Sequence, residues 1–573
     1  MTGFPVTRTA PISRAEWVFI LVLLLFAAGL RFAGIDYGQP DMADFPTDAG
    51  RGFLPLEAPI HPDEYFYVAI PVEMRARNRL HPDFFENPSF LINLSFIVNT
   101  LTGTGDATYE QIAGQNQRQF APFPLYVMGR GFSALGGVLA AAAVYAAARR
   151  LTGRYGAAAA GLLCAVSLPM VQHAHYATTS SLAAGFAAAA VWASVSSLRR
   201  ARDRRGDTLL LAAGAAAGLA AGNRYNAAGV GIVVAGAALL SVIRCPKRWR
   251  MPAVSVLLMA LVFLATTPGI LLAARKFVAD FTYIFGSYTA VGVPDQNTPY
   301  GLLYQMRYLG LVAVGLPGLI VAVTGLVYLL WHGSRRSHST IHYRRFWSGV
   351  LLLLFSVAYA LVVLRAVRPR HSDQLLVPFI PVICLLAGVG VGWLLPRLRA
   401  LRFRRFAGLT AAVALVLLVA QPLTFSLSFV QWIVQPDSRY LIQNWIYDNL
   451  PPGSRLYLVG AYNVPLDPQL YPSAQTFGSG QDLPPLDTLR ASGFEYLVFS
   501  DAILHDVARS SELSSADYLA RDQAMLEALN QLPVVARVQR PPVVGSDIAM
   551  HTASVWHQPG ITVYCLVCTD TAG

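Results

Sequence analysis

The sequence predicts a polytopic α-helical membrane protein with about eleven transmembrane helices and a small C-terminal α/β domain. Three observations carry this reading. Charged residues make up 13% of the chain while apolar ones make up 54%, against about a quarter charged in a soluble globule. Apolar runs of membrane-crossing length follow one another along the chain. Basic clusters fall in every second loop between those runs, the pattern that cytoplasmic loops produce. The net charge of +12 therefore reads as a topology signal and not as a nucleic-acid surface.

The runs are Glu16 to Phe32, Gly131 to Ala147, Tyr155 to Val171, Ser180 to Ser196, Thr208 to Ala221, Ala227 to Val242, Ala253 to Ala273, Leu309 to Leu330, Ser348 to Leu364, Leu375 to Leu395 and Phe406 to Leu427. Two of them, those at Thr208 and Ala227, are short and rich in Ala and Gly. The basic loops "ARRLTGR", "LRRARDRRGD", "RCPKRWR", "RRSHSTIHYRR" and "RLRALRFRR" place the N-terminus in the cytoplasm of a cell (plasma or inner) membrane. They put the loop 33–130, the loop from Arg275 to Tyr308 and the C-terminal tail on the outer side. The first run lacks a small-residue cleavage site and reads as a retained helix.

Residues 1–434 form the expected transmembrane module, and 435–573 the expected extracytoplasmic domain. In the long outer loop, "DEYFYVAIPVEMRARNR" and "PSFLINLSFIVNTL" read as helices lying along the membrane surface. In the tail, "DSRYLIQNWIYDNLPPGSRLYLVG", "LDTLRASGFEYLVFS" and "AMLEALNQLPVVARVQ" each read as helix then strand. Cys164 and Cys384 fall in apolar runs, and no disulfide framework is implied. Cys565 and Cys568 sit in an expected strand "ITVYCLV", where positions i and i+3 point to opposite faces.

Candidate functional residues concentrate on the outer side. "APIHPDEYFYV" places Asp63 and Glu64 just beyond the first span, flanked by aromatics that include Tyr67. Acidic residues after Pro62 suit a helix start through the helix dipole alone, yet a carboxylate beside the membrane is also placed to accept a proton from a hydroxyl. "HPDFFE", ending at Glu86, echoes the motif and reads as a second helix start. His173 and His175 in "VQHAHYATTSS" diverge on a regular helix, but an irregular turn would let them bind a metal or a phosphate. Outward basic residues run against the positive-inside bias and so need a reason: Arg130, Arg224, Lys276, Arg368 and Arg370 are candidates for holding an anionic lipid. Arg370 also precedes a helix start near Ser372, whose positive end adds to it.

"HPDEYFYV", the second to fourth spans from Gly129 through "VQHAHYATTSSLAAGF", and "RPRHSDQLLVPFIPV" together resemble the GT-C superfamily of membrane glycosyltransferases. The similarity is to bacterial relatives of the protein O-mannosyltransferases and of the lipid A aminoarabinose transferase. That resemblance implies transfer of a sugar from a polyprenyl-phosphate donor to a protein, lipid or glycan acceptor on the outer face. It implies Asp63 as the catalytic carboxylate, Glu64 as its neighbour in the motif, and Arg370 as a holder of the carrier phosphate. Where relatives often carry a carboxylate after the paired histidines, this chain has Thr179, Ser180 and Ser181. A second acid or metal ligand is thereby left open, so a divalent metal is allowed but not required. Two alternatives remain beside the enzyme: a transporter or lipid flippase, and a non-catalytic envelope protein. Charges at span ends, not mid-span, favour the enzyme.

Overall fold

The computed structural model describes residues 12–39, 61, 63–103, 123–199, 204–289, 305–334, 340–365, 372–400, 407–460, 463–467, 469–476, 483–502, 516–539 and 558–568. Helix α1 (Arg14–Phe32) starts where the Ser13 hydroxyl accepts from the Glu16 N–H at 3.2 Å. One side of it, with Trp17, Val18, Leu21 and Leu25, is exposed, while Leu23, Ala27 and Leu30 are buried. In the outer loop, α2 (Glu64–Ala76) and α3 (Phe90–Thr102) are both helices, as expected; Gly103, at φ 66°, ends α3 in the left-handed conformation.

The bundle continues through α4 (Phe123–Leu151), α5 (Arg154–Val166), α6 (Thr179–Ser197), α7 (Arg204–Asn223), α8 (Gly231–Arg244), α9 (Met251–Thr266) and α10 (Ala274–Thr289). It is completed by α11 (Gly315–Ser334), α12 (Thr340–Arg365), α13 (Ile380–Ala400) and α14 (Ala407–Ile433). Among the described residues, eight helices are long and apolar enough to cross a membrane. Gln305–Ala313 and α11 pass the same test only as a pair, bent by 111°, which is the geometry of a broken span or a re-entrant loop. The bend falls where a π-helical turn (Leu309–Ala313) meets Gly315 at φ 74°.

The two further expected runs are α5, which stops at Val166 and resumes as the short helix Leu168–Gln172, and α7, whose Ala and Gly content keeps its hydropathy low. Small residues let the helices approach closely in the absence of a hydrophobic drive between them. A Cβ on Gly185 would lie 2.4 Å from the Gly136 carbonyl, and one on Gly388 2.4 Å from the Gly156 carbonyl, so α4 meets α6 and α5 meets α13 almost backbone to backbone.

After α14 comes α15 (Ser438–Asn449), then a five-stranded sheet of β1 (Leu456–Val459), β2 (Ser473–Thr476), β3 (Tyr496–Ser500), β4 (Val534–Val538) and β5 (Ile561–Cys565). The order is β2-β1-β3-β5-β4; β1 runs parallel to β2 and β3, and β5 is antiparallel to β3 and β4. The three expected helix-then-strand units are present as α15 with β1, Leu486–Ala491 with β3, and Ala516–Leu529 with β4. The expectation for the cysteines is corrected. Cys565 and Cys568 form a disulfide with a Cα separation of 5.6 Å, because β5 ends at Cys565 and the chain bends, so strand alternation no longer holds the two side chains apart.

Candidate active site

The motif's two acidic residues have opposite fates. Asp63 is the residue before α2 and Glu64 its first, and the two side chains point about 100° apart. Glu64 opens α2 and turns in: its side chain is 0% exposed. Its Oε2 accepts from the His61 N–H at 2.9 Å, the Tyr37 hydroxyl at 3.0 Å and Arg130 at 3.1 Å. Its Oε1 accepts from Arg130 Nε at 2.7 Å and the Ala177 N–H at 2.8 Å. Burial alone would push the Glu64 carboxyl up, but the Arg130 charge and hydrogen bonds and the Ala177 N–H outweigh it and hold the group below its ordinary 4.5.

Arg130, near the start of α4, is also 0% exposed. It donates to the carbonyls of Ile35 at 3.0 Å and Tyr37 at 2.8 Å, and its guanidinium lies 3.7 Å from the Tyr37 ring centroid. The pair therefore joins four segments: the turn after α1, the start of α2, α4, and the turn before α6. Glu64 was expected with Asp63 among the catalytic residues and Arg130 as a phosphate ligand; the structure sets the two side chains against each other as a buried ion pair.

Asp63 is half-buried and stays accessible. Its N–H donates to His61 Nδ1 at 3.1 Å, and the His61 ring packs 4.4 Å from that of Tyr176. Its Oδ2 accepts from Gln374 Nε2 at 3.0 Å. Among the described residues Oδ1 accepts no hydrogen bond. Gln374 lies on the short helix Ser372–Leu376, and its own Oε1 accepts from Arg224 at 3.0 Å. That helix is in turn anchored by Asn226, which donates to the Leu375 carbonyl at 3.2 Å and to the Tyr359 hydroxyl at 2.9 Å. Arg224 is buried, and its Nε has no hydrogen-bond partner among the described residues. A neutral amide thus stands between the one accessible carboxylate of the motif and a buried guanidinium.

Glu86 and Asp280 are further acids near this point. Burial, then the charges of Asp280 and Asp63, push the Glu86 carboxyl up from the ordinary value, against a smaller opposing effect of Lys276. The segment carrying it is fixed by the Tyr225 hydroxyl, which donates to the Phe85 carbonyl at 2.9 Å, and by Asp280, which accepts from the Phe85 N–H at 3.0 Å.

Of the remaining candidates, Lys276 pairs with Asp280 one turn along α10. His175 has Nδ1 2.9 Å from the Val171 carbonyl and Nε2 2.9 Å from the Ala33 carbonyl, so neither nitrogen is left for a metal or a phosphate. His173 is buried against the Tyr176 ring at 5.5 Å. Tyr67 is buried in an apolar cluster with Ile70, Leu91 and Leu182. Arg368 and Arg370 lie outside the described residues. No group of three His, Cys, Asp or Glu side chains comes together to hold a metal ion among the described residues.

Sequence reasoning passed over Gln374, Tyr37 and Arg31. Gln374 had a signal in its place just after the Arg370 segment. Arg31 had one too, as an arginine ending an apolar run. It is fully buried and donates to the carbonyls of Ala27, Ala165 and Cys164 at 2.9, 3.0 and 3.2 Å, which caps the C-terminal end of α5.

Comparison with known proteins adds to this geometry. An oligosaccharyltransferase, AglB from Archaeoglobus fulgidus in complex with an inhibitory peptide and a dolichol-phosphate, is similar at 12% identity, over 95% of this chain and 77% of its own, with a TM-score of 0.45. ArnT from Cupriavidus metallidurans bound to undecaprenyl phosphate is similar at 18% identity, over 98% and 100%, with a TM-score of 0.47. The protein O-mannosyltransferase Pmt1-Pmt2 complex of S. cerevisiae, bound to the sugar donor, is similar at 21% identity over 52% and 37%, with a TM-score of 0.30. No curated protein matches the sequence. Residues 127–271, which hold Arg130, the paired histidines and Arg224, match the model of the dolichyl-phosphate-mannose-protein mannosyltransferase family, which bears out the GT-C resemblance in the spans that follow the first outer loop.

Proposed function

We propose that this protein transfers a sugar from a polyprenyl-phosphate-linked donor to an acceptor hydroxyl at the outer face of the membrane, with Asp63 as the catalytic carboxylate. One observation carries the reading. Of two adjacent acids, Glu64 is saturated by five hydrogen bonds, whereas Asp63 keeps an oxygen without a partner among the described residues. The match of residues 127–271 to the mannosyltransferase family supports the same class of reaction.

In the proposed step the acceptor O–H gives its proton to Asp63 as its oxygen attacks the anomeric carbon. The bond from that carbon to the phosphate oxygen breaks, and the polyprenyl phosphate leaves with the electron pair. A single displacement inverts the anomeric centre. A phosphate-linked sugar already carries a good leaving group, so the protein's task is to position the acceptor and to stabilise the departing charge. Arg224 is the described residue best placed to do the latter, because among the described residues its side chain bonds only to neutral Gln374 and its Nε has no partner. Arg368 and Arg370, four to six positions before Gln374 in the sequence, join it as candidates.

The test is release of free polyprenyl phosphate by the detergent-solubilised protein, offered a panel of polyprenyl-phosphate sugars. Release by the wild type with loss of at least about a thousandfold in Asp63→Asn is the expected result. Unimpaired turnover by a folded, membrane-inserted Asp63→Asn variant would remove Asp63 from the mechanism.

A further inference from the structure

The C-terminal sheet carries a feature that sugar transfer does not use. Cys565 ends β5 and is 0% exposed, while Cys568, after the bend, is exposed, and a disulfide joins them across three positions. We infer that this pair is a thiol–disulfide exchange site open to a thiol or dithiol partner from the solvent side, and not a staple that holds the domain together.

Three observations point this way. Closing so short a loop constrains the unfolded chain little, since that effect grows with loop length. The sheet is also held without the bond. β5 is an interior strand, paired along its length to β3 on one side and to β4 on the other. Beyond it the Leu566 N–H donates to the Glu495 carbonyl at 2.8 Å, and Arg490 Nε donates to the Leu566 carbonyl at 2.8 Å. The third observation is the asymmetry of the two sulfurs. Of the two residues only Cys568 is exposed, which makes it the side an incoming thiolate meets, and the sulfur it would release, Cys565 Sγ, already accepts from the Cys568 N–H at 3.0 Å. That hydrogen bond strengthens as the sulfur gains charge, so it favours Cys565 as the leaving group.

The exchange balances as follows. A partner thiolate attacks Cys568 Sγ and forms a mixed disulfide, while the bonding pair moves to Cys565, which leaves as a thiolate and takes a proton. The partner's second thiolate then attacks its own sulfur in the mixed disulfide and releases Cys568. The partner dithiol is oxidised to a disulfide by two electrons, and the Cys565–Cys568 pair is reduced by the same two.

The purified full chain in detergent tests this. Treated with dithiothreitol without denaturant and then with N-ethylmaleimide, the peptide spanning 565–568 is expected to gain two alkyl groups. The amides of β5 should keep their protection from hydrogen exchange under the same treatment. In the single variants, Cys568 in Cys565→Ser is expected to form a mixed disulfide with oxidised glutathione at least about tenfold faster than Cys565 does in Cys568→Ser. Resistance to dithiothreitol until the protein is denatured, loss of β5 protection on reduction, or equal reactivity of the two single cysteines would each overturn the proposal. The wild-type reduction needs no variant, so it stands even if a substituted chain folds poorly.

Discussion

The Glu64–Arg130 clamp allows a quantitative test of whether the motif's second acid is structural. Glu64→Gln keeps the side chain's shape but leaves the Arg130 guanidinium, 0% exposed, with no opposite charge. Arg130→Met does the converse and leaves a buried carboxylate held only by the Tyr37 hydroxyl and the N–H groups of His61 and Ala177. Removing one partner of a buried ion pair costs about 3–5 kcal/mol, most of it the penalty of the stranded charge. The double variant strands neither charge. Its cost should be no larger than that of either single variant, which makes the coupling energy about 3–5 kcal/mol.

The readout is local. The Ala177 amide donates to Glu64 Oε1, so its hydrogen-exchange protection reports opening of the clamp. Each single variant should lose about 10²–10⁴-fold in protection there, and the double variant should lose no more than either. Additive losses, with the double variant falling by the product of the two single factors, would refute the reasoning, because they would mean that the two charges do not depend on each other.

Two further outcomes are expected. Gln374→Leu removes the hydrogen bond to Asp63 and the bridge to Arg224; with a bond to a charged group worth about 1.5–3 kcal/mol, sugar transfer should fall roughly 10- to 150-fold while membrane insertion is unchanged, and an unaltered rate would detach Gln374 from the site. For Glu86 the sign follows from its raised carboxyl: the folded state favours the protonated form, so the contribution to stability is fully present below the ordinary 4.5 and is lost as pH rises through the raised value. Glu86→Gln should therefore gain thermal stability relative to wild type on passing from acid to neutral pH, and a difference that is flat or falls with pH would contradict the cause assigned to the shift.

Much of the fold can be read from the chain because a bilayer leaves few solutions: backbone groups must be satisfied internally, and length and apolarity then mark the helices. The exceptions have local causes. The expected run around Leu309 is bent because Gly315 adopts a positive φ, and α5 is broken at Ser167 before Pro169. The disulfide escaped because it depends on where β5 stops, and element ends are the least legible part of a sequence. The site is harder still. Asp63 meets Gln374 across 311 positions and Glu64 meets Arg130 across 66, and no periodicity encodes such meetings.

An arginine on the outer side is legible as an anomaly, but its type does not say what it holds. Arg130 and Arg224 looked alike in sequence, each outward and each able to grip a phosphate. The fold separates them by what it sets opposite. Arg130 faces an ionised carboxylate with which it is buried, so an arriving phosphate could claim it only by stranding the buried Glu64 charge, at a cost of about 3–5 kcal/mol. Among the described residues Arg224 bonds only to the neutral oxygen of Gln374, and a phosphate there would gain a charge-assisted contact without displacing another anion. For the same reason Asp63 keeps its charge uncompensated by this contact: its described partner is an amide, which orients the carboxylate without neutralising it. Had Arg224 reached Asp63 directly, it would have formed a second closed pair like the first, and neither the base nor the phosphate ligand would remain available for the proposed chemistry.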